Sequence, residues 1–362
     1  IKTLFLHRIR IAVTMRSFVF ILLSCFLCVM SSGQESARIS PSPSGDILSD
    51  DAPDYIRYIS DNDLIGLLLH EDEILASSDE FGRWIVKAYL GFLRNDAESS
   101  LHYAELLLSK YQDRLGGALP FALRLKAEAE MRLCRFASAA GLFRLCANYS
   151  PDVCYMYEEA LALSDYGESA VSIRKGKTKI KSKPVEAGVY PVQLQTDGIE
   201  TMAFLRFDLP YSSVSRTEAE ALGMHIMTVE GEIGNVKVLA VADKLSIGKM
   251  TVTDVLFEVH ETQQPLMIGV SMLSKIPYVM LTGSSVTFSI TPLDLKKYSE
   301  AGSLLFYDNV LCVARPADGG IGEVCSLGEA VKHARLVSPE QLFGGRDVVV
   351  DTVNMILHVR DD

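Results

Sequence analysis

Residues 203–224 read AFLRFDLPYSSVSRTEAEALGM, and within them the tetrapeptide Asp208-Leu209-Pro210-Tyr211 decides how the rest of the chain is read. The run up to Phe207 has the pattern of an apolar strand, so Asp208 stands at a strand end. Pro210 follows, with no N–H and with φ fixed near about −65°. Upstream, Asp197-Gly198 between YPVQLQT and IETMAFLRF is a strong hairpin signal. Downstream come VKVLAVADKLSIG, MTVTDVLFEV, LMIGVSML and YVMLTGSSVTFSI, short strands separated by turns, which mean a barrel or sandwich.

Residues 62–165 are different in kind. WIVKAYLGFL, SSLHYAELLLSKY, ALRLKAEAEMRL and ASAAGLFRLCANY all space their apolar residues by three and four, the helical period. Ala127, Phe136, Ala139, Phe143, Cys146 and Pro151 fall where a tetratricopeptide repeat of about 34 residues places its small, aromatic and proline positions, and this segment resembles such a repeat. An irregular second pair surrounds Trp84, Ala88 and Ala104. With so few repeats, a helical bundle packed against the next domain ranks above a dedicated peptide groove.

Between the two halves lies SIRKGKTKIKSKPVEAG, with Lys175, Lys177, Lys179, Lys181 and Lys183 at every second position. An extended strand carries all five on one face. The plain reading is a solvated linker or an edge strand guarded from aggregation by its lysines. The sharper one is an electrostatic clamp for an acidic partner.

The chain has 362 residues, 48% hydrophobic and 22% charged, enough to bury more than one core. Its formal net charge of −11 argues against a nucleic-acid partner, which calls for a basic surface. Met15-Arg16, then SFVFILLSCFLCVM, then SSGQES, has the charged start, short apolar core and small-residue exit of a secretory signal peptide over 15–33, cut near Gly33. The apolar run is shorter than the roughly 20 residues of a membrane helix. Lipidation at Cys25 or Cys28 is disfavoured by Leu23 ahead of Ser24-Cys25. Residues 1–14 precede a good initiator Met and read as a mis-called leader; 34–61 read as a polar linker. The expectation is a secreted or periplasmic protein, with Cys134, Cys146, Cys154, Cys312 and Cys325 in an oxidising compartment.

Over residues 186–291 the order of elements resembles the retropepsin-like aspartic protease family. The matching pieces are the Asp197-Gly198 hairpin, the strand ending at Asp208, Ser213, Ala219 and Leu222-Gly223, a flap-like stretch at Gly231 and Gly234, Ile247-Gly248, and Ile268-Gly269 at the family's apolar-apolar-Gly position. The resemblance implies an α+β chain: an N-terminal helical, tetratricopeptide-like domain over 62–165, a linker or edge strand over 166–188, and a mostly-β acid-protease barrel in two unequal lobes, 189–291 and 303–360. It places Asp208 at the catalytic position.

The family's chemistry needs two Asp-Thr/Ser-Gly loops facing each other, because two carboxylates about 3 Å apart share one proton and activate the water between them. Here Leu209 replaces the hydroxyl and Pro210 the glycine. The second half offers no repair. VMLTGSSVTFSI (279–290) and VVVDTVNMILHV (348–359) align apolar for apolar without a gap, and by the same correspondence Cys325-Ser326-Leu327-Gly328 falls where Phe207-Asp208-Leu209-Pro210 fell. Ser326 is then a second-loop remnant that cannot act as an acid at neutral pH. Asp351-Thr352 has too little chain after it to build a lobe and reads as a closing-strand turn. A two-residue turn at Asp318-Gly319 sets Cys312 opposite Cys325, with Cα atoms about 4.5 Å apart, and predicts a disulfide between them. The helical-segment cysteines read as buried packing residues.

The histidines are scattered, and His70-Glu71 lacks a second histidine four residues from the first, so no metal site is arguable. There is no G-x-S-x-G, no phosphate-cradling loop and no Cys-x-x-Cys. Neither metal nor other cofactor is expected. The favoured reading is a protease fold that has lost catalysis and binds an extended peptide or protein by strand addition. The alternative is an active aspartic endopeptidase that takes its second Asp from a homodimer mate.

Overall fold

The structure, a computed structural model, describes residues 54–60, 63–149, 153–207, 209, 211–230, 235–307, 310–316, 322–324, 334–336 and 345–361. It is a mixed α+β chain: helices, then two β-sheets. Helices α1 (Asp54–Ser60), α2 (Leu64–Leu69), α3 (Glu71–Ser77), α4 (Glu80–Leu93), α5 (Ala97–Lys110), α6 (Gln112–Leu115), α7 (Leu119–Arg132), α8 (Phe136–Cys146) and α9 (Cys154–Ala162) form the N-terminal layer. Among the described residues it begins at Asp54, inside the stretch read as linker, and Tyr55, Ile56 and Ile59 join its core. Aspartates start several of these helices: Asp79 accepts from Gly82 N at 2.8 Å and Asp96 from Ser99 N at 3.0 Å, satisfying amides that the first turn leaves open.

The pairs α4–α5 and α7–α8 share one turn. Asn95 and Cys134 both have positive φ, 55° and 54°. Asp96 N donates back to Gly91 O, and Arg135 N to Glu130 O, the longer bond of a Schellman closure in each case. Gly91 is required by close approach: a Cβ there would stand 2.8 Å from Ser100 N on α5. Of the repeat-like positions, Ala127, Ala139 and Phe143 are buried with Ala140 and Ala160 in a cluster shared by α7, α8 and α9, and small residues let these helices approach. Cys146 is buried as expected, but Cys154 is exposed at the start of α9.

The first sheet contains β1 (Val171–Ile173), β3 (Val189–Thr196), β4 (Ile199–Arg206), β5 (Ser212–Ser215), β6 (His225–Glu230), β7 (Val236–Ile247), β8 (Met250–His260) and β9 (Leu266–Ile268). Its order is β1-β8-β5-β9-β4-β3-β7-β6, and β8 also pairs β7, so six strands close into a ring. Asp197-Gly198 makes the predicted hairpin, with Thr196 opposite Ile199. The second sheet runs β15-β14-β13-β12-β17-β16-β10-β11-β2, built from β2 (Lys177–Lys181), β10 (Tyr278–Thr282), β11 (Ser285–Ser289), β12 (Tyr298–Tyr307), β13 (Val310–Pro316), β14 (Gly322–Val324), β15 (Ala334–Leu336), β16 (Val348–Asp351) and β17 (Ile356–Arg360).

The sheets do not divide where the sequence divides the lobes. Strands β10 and β11, read as the close of the first lobe, pair instead with β16 and β2. The similar hairpins β10–β11 and β16–β17 lie side by side, Val279 opposite Val350 and Leu281 opposite Val348. Their turns differ, since Thr282 pairs Ser285 whereas Asp351 pairs Ile356. A turn longer by two residues preserves the period-2 phase, so Val286, Phe288, Leu357 and Val359 all stay buried. One core holds the two sheets together, with Leu194, Leu205, Val252 and Phe257 from the first and Val279, Phe288, Val350 and Leu357 from the second. This burial, at about 25 cal/mol per Å² of apolar surface, is the main stabilising term.

The β13–β14 hairpin corrects a register. Its rungs are Ala314↔Val324, Arg315↔Glu323 and Pro316↔Gly322, one residue out of step with a two-residue turn at Asp318-Gly319. A slip of one residue exchanges the faces of a strand, which removes the geometric basis for the expected Cys312–Cys325 bridge. Cys325 lies outside the described residues.

Candidate functional site

The loop after β4 is held by a strand that comes from far along the chain. β9 lies between β4 and β5, parallel to β4 (Leu205↔Ile268) and antiparallel to β5 (Ser213↔Met267). The chain leaving β4 therefore skips one place in the sheet before it re-enters as β5. Val270 N donates to Leu209 O at 2.9 Å, Gly269 N to Ser212 Oγ at 3.1 Å, and Ser212 N to Ser271 Oγ at 3.2 Å. Gly269 has no room for a side chain, because an added Cβ would fall 2.5 Å from Tyr211 C and 2.9 Å from Leu209 O. Leu209 and Tyr211 thus pack directly against Gly269 and Val270, from a stretch read separately in the sequence.

Tyr211 faces charge. Lys237 Nζ on β7 lies 4.8 Å from the centre of its ring, a cation–π arrangement. The same ammonium is 3.0 Å from Glu159 Oε2 on α9 and 3.3 Å from Glu258 Oε1 on β8. Burial opposes the lysine's charge, but Glu159, Tyr211 and Glu258 outweigh it and hold the ammonium above the ordinary lysine range. Burial pushes the Tyr211 phenol up to about 12, with Lys237 pulling the other way.

The helical layer carries a further buried cation. Arg132, last residue of α7, stacks its guanidinium 3.8 Å from the centre of the Phe92 ring and donates to Phe92 O. Burial lowers its pKa to about 10, against the pull of Glu128 and Tyr211. Lys275, just past α11 (Val270–Leu273; α10 is Arg216–Ala221), donates to Cys134 Sγ at 3.3 Å. Phe136, Leu163 and Val241 form an apolar seam beside it. Sequence reasoning missed Glu159, Lys237, Glu258 and Arg132. The sole local signal was a lysine inside the otherwise apolar start of VKVLAVADKLSI.

Asp208, Pro210, Gly231, Gly234 and Ser326 lie outside the described residues. Asp351 is described, and it is a turn residue. Its Oδ1 accepts from Val353 N at 3.0 Å and Asn354 N at 2.9 Å, and its Oδ2 from Asn354 Nδ2 at 2.8 Å. Thr352 donates N–H and Oγ1–H to the carbonyls of Pro277 and Ile276. The carboxylate's acceptor positions are thus engaged by its own turn, as the closing-strand reading requires.

No family model and no curated protein matches the chain. Among solved structures, the crystal structure of a retropepsin-like aspartic protease from Rickettsia conorii is similar at 10% sequence identity and a TM-score of 0.27, over 34% of this chain and 94% of that one. Among the described residues, no helix is long and apolar enough to cross a membrane.

Proposed function

We propose that this chain is an acid-protease-fold protein without proteolytic activity, which works outside the cytoplasm as a binding module for an extended polypeptide. The observation that carries the loss of catalysis is the packing of Tyr211. The residue after Pro210 carries the Lys237 ammonium over its ring, and that ammonium is in turn paired with Glu159 and Glu258. A catalytic loop of this class needs room for water and for a second Asp loop. Next to the Tyr211 ring stands the Lys237, Glu159 and Glu258 ion cluster, and Leu209 and Pro210 supply neither the hydroxyl nor the amide. The insertion of β9 between β4 and β5, with Gly269 pressed on the backbone of Leu209 and Tyr211, supports the fold reading. The signal-like segment at 15–33 supports a secreted or periplasmic location.

The test is incubation of the purified protein with an unfolded polypeptide between pH 3 and pH 7, with new termini sought by mass spectrometry. Wild type and Asp208→Asn give the same blank result on this reading. Cleavage at acid pH that disappears in Asp208→Asn establishes the homodimeric endopeptidase instead.

A further inference from the structure

Strand β2 is an outer strand of the second sheet, paired on one side to β11. The ladder fixes which of its backbone groups face outward. Ile290 N donates to Gly176 O, and Ser182 N donates to Ser284 O. In an antiparallel ladder the bonded residues alternate, so Gly176, Thr178, Ile180 and Ser182 turn their N–H and C=O groups towards β11. Those of Lys177, Lys179 and Lys181 then point to the open edge, and among the described residues no backbone partner meets them.

The strand is held rigidly from below. Thr178 is buried and Ile180 half-buried under the β7–β8 turn, where Lys249 N donates to Thr178 Oγ1 and Gly248 sits against both side chains. The five lysines from Lys175 to Lys183 are all exposed. Among the described residues none makes an ion pair, although Arg94, Lys126, Arg216 and Arg360 elsewhere each pair with a carboxylate. With Arg174, the segment 174–183 holds six cations and no acid, inside a chain whose net charge is −11. Like charges directly opposite are unfavourable in a sheet, so a second copy of β2 is excluded as the occupant.

We infer that the β2 edge receives, as an added strand, an extended segment of a partner polypeptide bearing carboxylates at alternate positions. Main-chain bonds form to Lys177, Lys179 and Lys181, and the carboxylates fall on the face that carries the ammonium groups. The intervening residues lie on the Thr178 and Ile180 side. Strand addition of this kind takes its affinity from backbone bonds and its selectivity from alternate side chains. The inference deepens the binding-module reading and assigns the binding to this edge.

The test uses two labelled seven-residue peptides of one composition, one with Glu alternating with Val and one with its Glu residues contiguous, read by fluorescence anisotropy at low salt. The alternating peptide binds at least tenfold more tightly. Lys179→Pro removes one outward N–H without touching the β11 ladder, a change edge strands tolerate, and weakens binding tenfold or more. The triple change Lys177→Gln, Lys179→Gln, Lys181→Gln does the same without any backbone alteration. Equal binding of the two peptides, of a sulfated polysaccharide, or of anionic vesicles, unaffected by Lys179→Pro, overturns strand addition in favour of simple charge attraction. No binding of the alternating peptide overturns the inference altogether. If wild type captures unfolded polypeptides of mixed sequence and Lys179→Pro leaves this unchanged, this inference fails while the binding-module reading stands.

Discussion

Lys237 and Glu159 meet at 3.0 Å across the boundary between the helical layer and the strands, with the Lys237 side chain 24% and the Glu159 side chain 10% exposed. An ion pair this enclosed is costly to break on one side only, because the surviving charge stays buried. Glu159→Gln keeps a hydrogen-bonding side chain and leaves Glu258 to the ammonium, so a loss of about 1 to 2 kcal/mol is expected. Lys237→Met strands two carboxylates and costs about 3 kcal/mol or more. The double variant Lys237→Met, Glu159→Gln recovers part of that loss. Urea unfolding of the four proteins closes the cycle, and additive losses would mean that the two residues are not coupled.

The same cluster sets an alkaline limit. The Tyr211 phenol is raised to about 12 from an unfolded value near 10, and Lys237 is also raised. A raised pKa contributes stability that is complete below the unfolded value and disappears as pH climbs through the folded one. Stability therefore falls as pH rises from about 10 towards 12, with Tyr211 contributing roughly 3 kcal/mol to that loss. Tyr211→Phe flattens the decline by about one proton over this window. Equal slopes for wild type and variant in thermal melts across the range would show that the phenol ionises as freely folded as unfolded.

Much of the architecture is legible in local pattern. Alternation marks the strands, Asp197-Gly198 fixes a hairpin through turn geometry, and the lysine run proves to be an edge strand because period 2 and outward charge go together. The small residues Ala127 and Ala139 foretell where helices approach. What local pattern cannot give is partnership. Nothing within YVMLTGSSVTFSI says that Tyr278 will face Asp351 across a different sheet. The β13–β14 register depends on a turn length that Asp318-Gly319 alone does not fix. The charge cluster is assembled from α9, β7 and β8, each of which contributes one ordinary polar residue to an amphipathic element. Its members become unusual only once packed together.

Asp351 separates structural from catalytic use of a carboxylate. It is 2% exposed and receives three hydrogen bonds from its own turn. Asp351→Ala leaves two backbone amides and the Asn354 amide without their acceptor in a buried turn, a loss of about 2 to 3 kcal/mol. Asp351→Asn retains one acceptor oxygen and is expected to lose about 1 kcal/mol. The turn reading ties Asp351 to stability alone, so peptide binding at temperatures below the melt stays unchanged in both variants. A variant of unaltered melting temperature with altered binding would reverse that assignment.

Gly269 gives the most direct test of how the 209–211 loop is built. Its amide holds Ser212 Oγ, and the position of an added Cβ coincides with main-chain atoms of Tyr211 and Leu209 rather than with a side chain that could swing away. Relief in Gly269→Ala requires the loop to move, and the loop is anchored by Leu209 O to Val270 N and by the Tyr211 ring beneath Lys237. Overpacking against backbone is expected to cost about 3 kcal/mol, at the upper end of such substitutions. The displacement should also loosen the phenol's enclosure, so that Tyr211 titrates closer to 10 in Gly269→Ala than in wild type. Calorimetry together with an ultraviolet tyrosine titration measures both effects. Destabilisation without a change in the titration would show that the strain is absorbed on the β9 side, leaving the Tyr211 loop where it is.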